Sequence, residues 1–124
     1  RAALQAVCNA YNASPELVQF LLSSGADVNA EAGIEGSLTV IQAAALRGHI
    51  MIVLLLLDAG ADVSADPAER GRSAVDAAAE YGRLDMVQVL LNAGAKNRSA
   101  ADLGYTRAIE LAEENDHFAV AELL

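Results

Sequence analysis

The sequence predicts an all-α solenoid, in which helix-turn-helix units stack side by side and are joined by β-hairpin-like fingers. The first observation is the string Gly-Ala-Asp-Val-Asn-Ala at Gly25, which returns as Gly-Ala-Asp-Val-Ser-Ala at Gly60 and as Gly-Ala-Lys-Asn at Gly94. The second is the spacing, because these copies lie 35 and 34 residues apart. The third is an apolar run shortly ahead of each copy, at 20–22, 55–57 and 89–91. A fixed period of this length is typical of stacked repeats rather than of a single globular core.

The first helix of each unit has its own start and stop signals. Thr39 and Ser73 offer side-chain oxygens to the free N–H groups of a helix N-terminus. Gly48 and Gly82 stand where the chain leaves the helix. The apolar residues that open these helices are Leu4, Ile41, Val75 and Ile109. Their spacing predicts four units, with approximate bounds of 1–35, 36–70, 71–103 and 104–124.

The second helix of each unit carries the apolar residues that we expect to form the core. Ser14, Pro15 and Glu16 form a start signal, in which a capping serine is followed by proline and by an acid at the positive helix end. The expected core positions are Leu17, Val18, Leu21, Leu22, Ile52, Val53, Leu56, Leu57, Met86, Val87, Leu90 and Leu91. In the first helices, Cys8 shares its position with the small Ala45, which predicts a buried, unreactive thiol.

Composition excludes several classes of function. The 124 residues carry a net charge of −9, and their eight Lys and Arg residues are scattered, which argues against nucleic acid binding. A single cysteine forms neither an internal disulfide nor a metal site. The longest apolar run, 50–57, is too short to span a bilayer, so we expect a soluble, intracellular and cytoplasmic protein. The chain opens and stops inside helix-like sequence, and we interpret it as a fragment of a longer protein.

The unit pattern resembles the ankyrin repeat across essentially the whole chain. The family pattern joins a Thr-Pro-Leu-His-x-Ala-Ala helix, a Gly-His turn, a Val-Val-x-Leu-Leu-Leu helix and a Gly-Ala-Asp-Val-Asn-Ala ending. Residues 39–49 read Thr-Val-Ile-Gln-Ala-Ala-Ala-Leu-Arg-Gly-His, so Val40 replaces the family's proline and Gln42 its histidine. That glutamine must replace the histidine's link between units or leave it weaker. The long fingers with Pro and Glu are similar to arrays in large NLR-like signalling proteins of fungi.

The resemblance implies a protein-protein interaction scaffold, because ankyrin arrays bind partners on the concave face of the first helices and at the finger tips. The positions that it assigns to partner binding are Leu38, Leu46, Arg47, Arg72, Glu80, Tyr81, Tyr105, Glu114 and Asn115. The finger tips are Ile34, Glu35, Glu69 and Arg70. Tyr81 is either an interface anchor or a cover for the neighbouring helix. The acidic balance favours a basic surface on the protein partner, and we expect a monomer.

An outer apolar pair supports a second hypothesis. Met51 and Leu54 stand three apart on one helix face, where the first and third units carry polar residues. The pair is either two ordinary surface hydrophobes or a contact for another domain, another copy or an additional helix. In the second case the array is a structural or autoinhibitory segment that packs against other domains of its own parent protein.

No group of residues suggests catalysis, a cofactor or a metal site. His49 and His117 occupy the Gly-His position of the resembled family, where a histidine usually bonds the backbone of the turn. Glu110, Glu113 and Glu114 are most simply one solvated helix face. The glycines follow the repeat instead of clustering in a phosphate-binding loop. We therefore expect no enzyme activity and no bound cofactor.

Overall fold

Four pairs of helices stack in one row. The computed structural model describes residues 3–10, 12–30, 38–64, 73–95 and 105–124, and within those ranges every regular element is an α-helix. The helices are α1 (Ala3–Cys8), α2 (Pro15–Ser23), α3 (Val40–Arg47), α4 (Ile50–Asp58), α5 (Ala74–Glu80), α6 (Leu84–Asn92), α7 (Thr106–Glu114) and α8 (Phe118–Leu123). We call these successive pairs units 1 to 4. Because α1 packs on α3, α3 on α5 and α5 on α7, the units follow one another in chain order.

The predicted helix starts are confirmed. The Thr39 hydroxyl accepts from the Gln42 backbone N–H at 3.3 Å, and the Gln42 side-chain oxygen accepts from the Thr39 N–H at 2.9 Å. This reciprocal capping box satisfies two N–H groups that the helix itself cannot. Ser73 caps α5 through the N–H of Asp76 at 3.1 Å, and Ser14 caps α2, where proline follows as the first helical residue. Gln42 is therefore a capping residue at the position of the family's histidine.

Left-handed residues end the first helices of units 2, 3 and 4. Gly48 and Gly82 have φ angles of 79° and 66°, and Asp116 has a φ of 62° at the equivalent position of unit 4. A β-carbon on Gly48 would lie 2.7 Å from a guanidinium nitrogen of Arg83, and one on Gly82 would collide with the ring of His117. Glycine is needed at both places for its backbone conformation and because the next unit covers it.

The hydrophobic core runs through the whole row, with contributions from both helices of each unit. Its largest fully buried members are Leu4, Ile41, Ile52, Leu56, Met86, Leu90, Val18, Val40, Val53, Val87 and Val120. Small residues fill the spaces between the first helices, as predicted, with Ala44, Ala45, Ala78 and Ala79 fully buried. Cys8 is also fully buried, and this burial raises the pKa of its thiol to about 11. The prediction of an unreactive core cysteine fits this environment.

The prediction that Leu17 belongs to the core is wrong. Leu17 is 44% exposed, whereas the residue at the equivalent position of unit 2, Ile52, is 1% exposed. The reason is its place in the row, because unit 1 has a neighbouring described unit on one side only. An identical position in the repeat is therefore buried or open depending on what stacks on it.

Side chains at the turns tie consecutive units together. The Nε2 atom of His49 lies 2.8 Å from the carbonyl oxygen of Ala10, and the Nε of Arg83 donates to the carbonyl of Leu46 at 3.0 Å. His49 therefore bonds the backbone of a turn, as expected, and that turn belongs to the preceding unit. Both acceptors lie near the end of a first helix, where carbonyls lack helical partners and positive charge is favoured.

A second tie joins units 1 and 2 on the finger side. The Asn29 amide donates to the carbonyl of Gly60 at 3.0 Å, and its oxygen accepts from the N–H of Asp62 at 2.7 Å. The Oδ1 atom of Asp27 accepts a hydrogen bond from the backbone N–H of Asn29 at 2.9 Å, as expected of an aspartate that forms a turn. The two units are therefore fixed at both ends of their helices.

Candidate protein-interaction surface

The ends of α3, α5 and α7 present equivalent pairs of side chains in successive units. The pairs are Leu46 with Arg47, Glu80 with Tyr81, and Glu114 with Asn115. Because these helices pack in chain order, the six residues form a row across units 2 to 4, which we call the first-helix surface. Leu46 and Glu80 are half-buried, and the other four are exposed.

Arg47 is exposed and at the same time bonded to unit 1. Its Nε donates to the carbonyl of Asn9 at 3.1 Å and lies 3.3 Å from the side-chain oxygen of the same residue. Asn9 directly follows α1, so the bond satisfies a carbonyl at the end of that helix. The sequence interpretation of Arg47 as a surface contact did not include this bond, which fixes where the arginine presents its charge.

Tyr81 lies in the middle of the row and is the exposed aromatic residue of the first-helix surface. It is 52% exposed, and the guanidinium carbon of Arg83 lies 5.7 Å from the centroid of its ring. That distance is within the range of a cation–π contact. Since Arg83 is itself held by the carbonyl of Leu46, the tyrosine is supported from one side and open to solvent on another.

A shallow cleft beside Tyr81 contains residues that the sequence analysis missed. It has a volume of about 410 Å³, and its walls include Arg83 and the exposed Leu84. A signal for Arg83 was present, because it occupies the same repeat position as His49 and His117. No such signal marked Leu84, because an apolar residue at the start of a second helix is expected to lie in the hydrophobic core.

Negative charge gathers at the unit 4 end of the first-helix surface. The exposed acids of α7 are Glu110, Glu113 and Glu114. In the described ranges, the cationic side chains are Arg47, Arg83 and Arg107, and the first two donate to backbone carbonyls. The three glutamates of α7 outnumber its one arginine, so the helix carries net negative charge, which favours positively charged groups on whatever binds there.

Three further residues of the predicted set also make internal contacts. The Asn115 amide donates to the carbonyl of Leu111 at 2.8 Å, and Leu38 is half-buried against the core. Tyr105 is half-buried too, and its hydroxyl donates to the carbonyl of Ala95 at 2.6 Å. Leu38 and Tyr105 thus support the packing of units 2 and 4, a role that the sequence interpretation did not assign to them.

Several predictions fall on parts of the chain that the structure does not describe. These are the contact residue Arg72 and the finger tips Ile34, Glu35, Glu69 and Arg70. The predicted unit boundaries also lie there, in the segments 31–37, 65–72 and 96–104. All of these remain predictions.

The outer apolar pair is exposed as expected. Met51 is 62% exposed and Leu54 is 44% exposed. The residues at the position of Met51 in units 1 and 3 are Glu16 and Asp85, and both are exposed as well. This position therefore faces solvent along the row, and only unit 2 fills it with a large apolar residue.

Groupings suited to metal chemistry are absent from the residues that the structure describes. No cluster of three or more His, Cys, Asp or Glu residues there could hold a metal ion. Among the described helices, none combines the length and apolar character that a membrane crossing requires.

Comparison with known proteins identifies the class. Residues 4–101 match the family described as ankyrin repeats (3 copies), and the chain belongs to this family of protein-interaction modules. The predicted all-α ankyrin solenoid is thereby confirmed.

Among its relatives are several mammalian proteins named cortactin-binding protein 2. The protein from Mus musculus is 37% identical over 84 residues, which is 67% of this chain and 5% of the relative. The protein from Ovis aries gives the same values. The protein from Rattus norvegicus is 35% identical over 94 residues, covering 75% of this chain and 5% of the relative. The chain thus spans 5% of the length of these curated relatives.

Proposed function

We propose that this chain binds a protein partner through the first-helix surface, with Tyr81 as the central contact. The observation that supports this most is the 52% exposure of an aromatic side chain in the middle of the row. Tyrosine contributes a large, rigid contact area with a polar tip, and it is enriched among residues that dominate binding energy. Equivalent positions in units 2 and 4 are exposed and polar, at Arg47 and Asn115.

Rigidity supports this assignment. Arg47 and Arg83 each donate to a carbonyl of the preceding unit, so the side chains on either side of Tyr81 are already placed. A surface that is ordered before binding loses little conformational entropy when the partner arrives. The mechanism that we propose is recognition by a preformed scaffold, with no catalytic step and no cofactor.

The partner that fits this surface is a segment whose apolar side chain packs against Leu46 and Tyr81. The same segment carries a positively charged group that lies near α7. The exposed acids of α7 attract such a segment and accelerate its association. The effect is screened by salt, so the association rate is expected to fall as ionic strength rises.

A pair of single variants tests the proposal. Tyr81→Ala should weaken partner binding by about tenfold or more, the effect of removing a central aromatic contact. Met51→Ala removes a side chain of similar exposure from the outer face and should leave the affinity within about twofold. Isothermal titration of both variants measures this. Equal losses in both, or a loss only in Met51→Ala, would reject the first-helix surface.

Cortactin is the first purified protein to test, because the relatives carry its name. Binding that Tyr81→Ala removes and Met51→Ala retains would assign cortactin to this surface. If cortactin does not bind the unaltered chain, that partner is excluded, and proteins captured from a lysate enter the same pair of measurements.

The exposed Met51 and Leu54 support a second candidate, in which the array packs against other domains of its parent protein. The double variant Met51→Glu, Leu54→Lys should then abolish that intramolecular contact and leave a folded array. If neither self-association nor binding of other parent domains changes, this candidate fails.

We also propose an intracellular, cytoplasmic setting, which suits a single thiol that is buried and protonated.

A further inference from the structure

We infer that the cleft beside Tyr81 receives an acidic residue of the protein partner, with Arg83 binding its carboxylate and apolar walls contacting the residue next to it. We call this site the turn cleft. It lies where the turns of units 2 and 3 meet, with Gly48 and Ile50 on one side and residues 81–86 on the other. Tyr81 belongs both to the turn cleft and to the first-helix surface, so the inference rests on the proposed function, whose partner supplies the acidic residue.

The turn cleft lies inside the row of units. Unit 2 packs on unit 1, and unit 3 packs on unit 4. Both units that line the cleft therefore have a described neighbour on either side, and the open mouth of the cleft is formed by the two turns themselves.

Arg83 is held in place in the turn cleft without being neutralised. Its Nε donates to the carbonyl of Leu46 at 3.0 Å, and its guanidinium carbon lies 5.7 Å from the ring centroid of Tyr81. Gly48 leaves room for the guanidinium, since a β-carbon there would lie 2.7 Å from one of its terminal nitrogens. Among the residues that the structure describes, none forms an ion pair with Arg83, and Leu46 supplies its one hydrogen-bond acceptor. The terminal N–H groups are therefore positioned and free to bind an acceptor.

The charges around Arg83 favour a carboxylate as that acceptor. The two terminal nitrogens of a guanidinium match the two oxygens of a carboxylate in a planar, bidentate pair. The turn cleft supplies this one cation, and Asp85 of the cleft wall is itself an exposed acid. One cation beside one acid suits a singly charged carboxylate better than a phosphorylated side chain, which carries about −1.5 to −2 charges at pH 7.

Apolar walls on both sides of Arg83 define the residue next to the acid. Ile50 is half-buried on the unit 2 side, and Leu84 is 42% exposed on the unit 3 side. An aliphatic side chain on Leu84 would bury apolar surface and exclude water from the neighbouring ion pair, which strengthens it. The occupant is therefore a pair of adjacent residues, one acidic and one aliphatic.

The charges along the row also determine the direction of the partner's segment. The turn cleft presents positive charge at unit 3, whereas α7 carries net negative charge at unit 4. A segment with its acidic residue in the turn cleft and its basic group near α7 is attracted at both places. The reversed segment is repelled at both, so this arrangement selects one direction of binding.

The test uses two blocked dipeptides as probes, acetyl-Leu-Glu-amide and the uncharged acetyl-Leu-Gln-amide, which have the same shape. Each is titrated into the isotopically labelled chain and followed by NMR. The glutamate probe should shift the Arg83 Nε–H and Leu84 methyl signals in a saturable way. The glutamine probe should bind at least about tenfold more weakly, because it lacks the charge that pairs with the guanidinium.

A matched pair of variants locates the binding group. Arg83→His and Arg107→His remove the same charge at pH 8, where histidine is neutral. The fold is expected to tolerate Arg83→His, because His49 and His117 occupy the equivalent position in units 2 and 4. Arg83→His should weaken binding of the glutamate probe by about tenfold or more, whereas Arg107→His should change it by less than about twofold.

Three results would overturn the inference. They are equal affinity for the two probes, equal losses in the two variants, and no saturable binding of either probe. None of them touches the proposed function, which Tyr81→Ala and Met51→Ala test with the whole partner. A partner whose affinity survives Tyr81→Ala would reject the proposed function, and the two probes would still decide whether the turn cleft binds a carboxylate.

Discussion

At the scale of single residues, the left-handed positions at the ends of the first helices show two reasons for a glycine. One is the positive φ angle, and the other is a side chain of the next unit that lies over the residue. Gly48 and Gly82 combine a positive φ with a side chain of the next unit lying over them, whereas Asp116 combines a φ of 62° with a carboxylate side chain. A non-glycine residue pays about 1–2 kcal/mol in this conformation, although aspartate tolerates it better than most. The same repeat position is therefore under different constraints in units 3 and 4.

Opposite substitutions at these two positions are expected to have opposite effects. Gly82→Ala should destabilise the fold by at least about 1–2 kcal/mol, because of its φ and the collision with His117. Asp116→Gly should stabilise it by about 0.5 kcal/mol, since relief of the backbone strain slightly exceeds the entropy that glycine adds to the unfolded chain. Urea denaturation measures both, and a destabilising Asp116→Gly would contradict this explanation.

Cys8 leads to a prediction about pH. Its thiol pKa is raised by burial from 9.0 to about 11, so the folded state holds the proton more tightly than the unfolded state. The resulting stabilisation is fully present below pH 9 and is lost as the pH rises through 11. Cys8→Ala should remove this part of the pH dependence and keep the fold, because alanine occupies the equivalent position in units 2 and 3. Identical stability profiles of the two proteins between pH 9 and 11 would argue against it.

At the scale of elements, the helices of one unit depend on side chains supplied by the next. The carbonyl of Leu46 near the end of α3 is satisfied by Arg83, and that of Ala10 after α1 by His49. Neither His49 nor Arg83 caps its own helix through its side chain. The N-cap positions of α4 and α6 thus serve as links between units, and they satisfy carbonyls after α1 and near the end of α3.

Removing one of these links should be costly. Arg83→Ala leaves the carbonyl of Leu46 without its partner and removes the support of Tyr81, so we expect a loss of about 1–2 kcal/mol in the free energy of unfolding. Arg107→Ala is the matched control, because this arginine is exposed at the start of α7, and its loss should change stability by less than about 0.5 kcal/mol. Equal effects of the two variants would show that the hydrogen bond to Leu46 adds no more to the free energy of unfolding than an ordinary exposed arginine does.

At the scale of the whole molecule, local patterns in the sequence were sufficient for the helices and their caps. Thr39, Ser73 and Ser14 were all identified as N-caps because a capping residue acts on backbone groups two or three residues away. Leu17 was misjudged because its burial depends on a neighbouring unit and not on its own helix. The bond between Arg47 and Asn9 was missed for the same reason, since its partners lie in different units.

The candidate surface was predictable to a lesser extent than the fold. Repeat alignment brought out Tyr81 and Arg47, because equivalent positions of a periodic array lie in a row. It could not indicate that Tyr105 is bonded to Ala95, since that contact joins the N-cap residue of α7 to the end of the preceding unit's second helix region. Exposure and bonding on such a surface depend on which side chains happen to reach across, and these differ from unit to unit.

The most direct test of the proposed interaction is site-specific photo-crosslinking. A photoreactive phenylalanine analogue is placed at Tyr81 in one protein and at Met51 in another, and each is irradiated with the bound partner. Both sites are more than half exposed, so the two probes have similar access to solvent. We predict that the partner is crosslinked from position 81 and not from position 51. Crosslinking from position 51 alone would contradict the account and assign binding to the outer face.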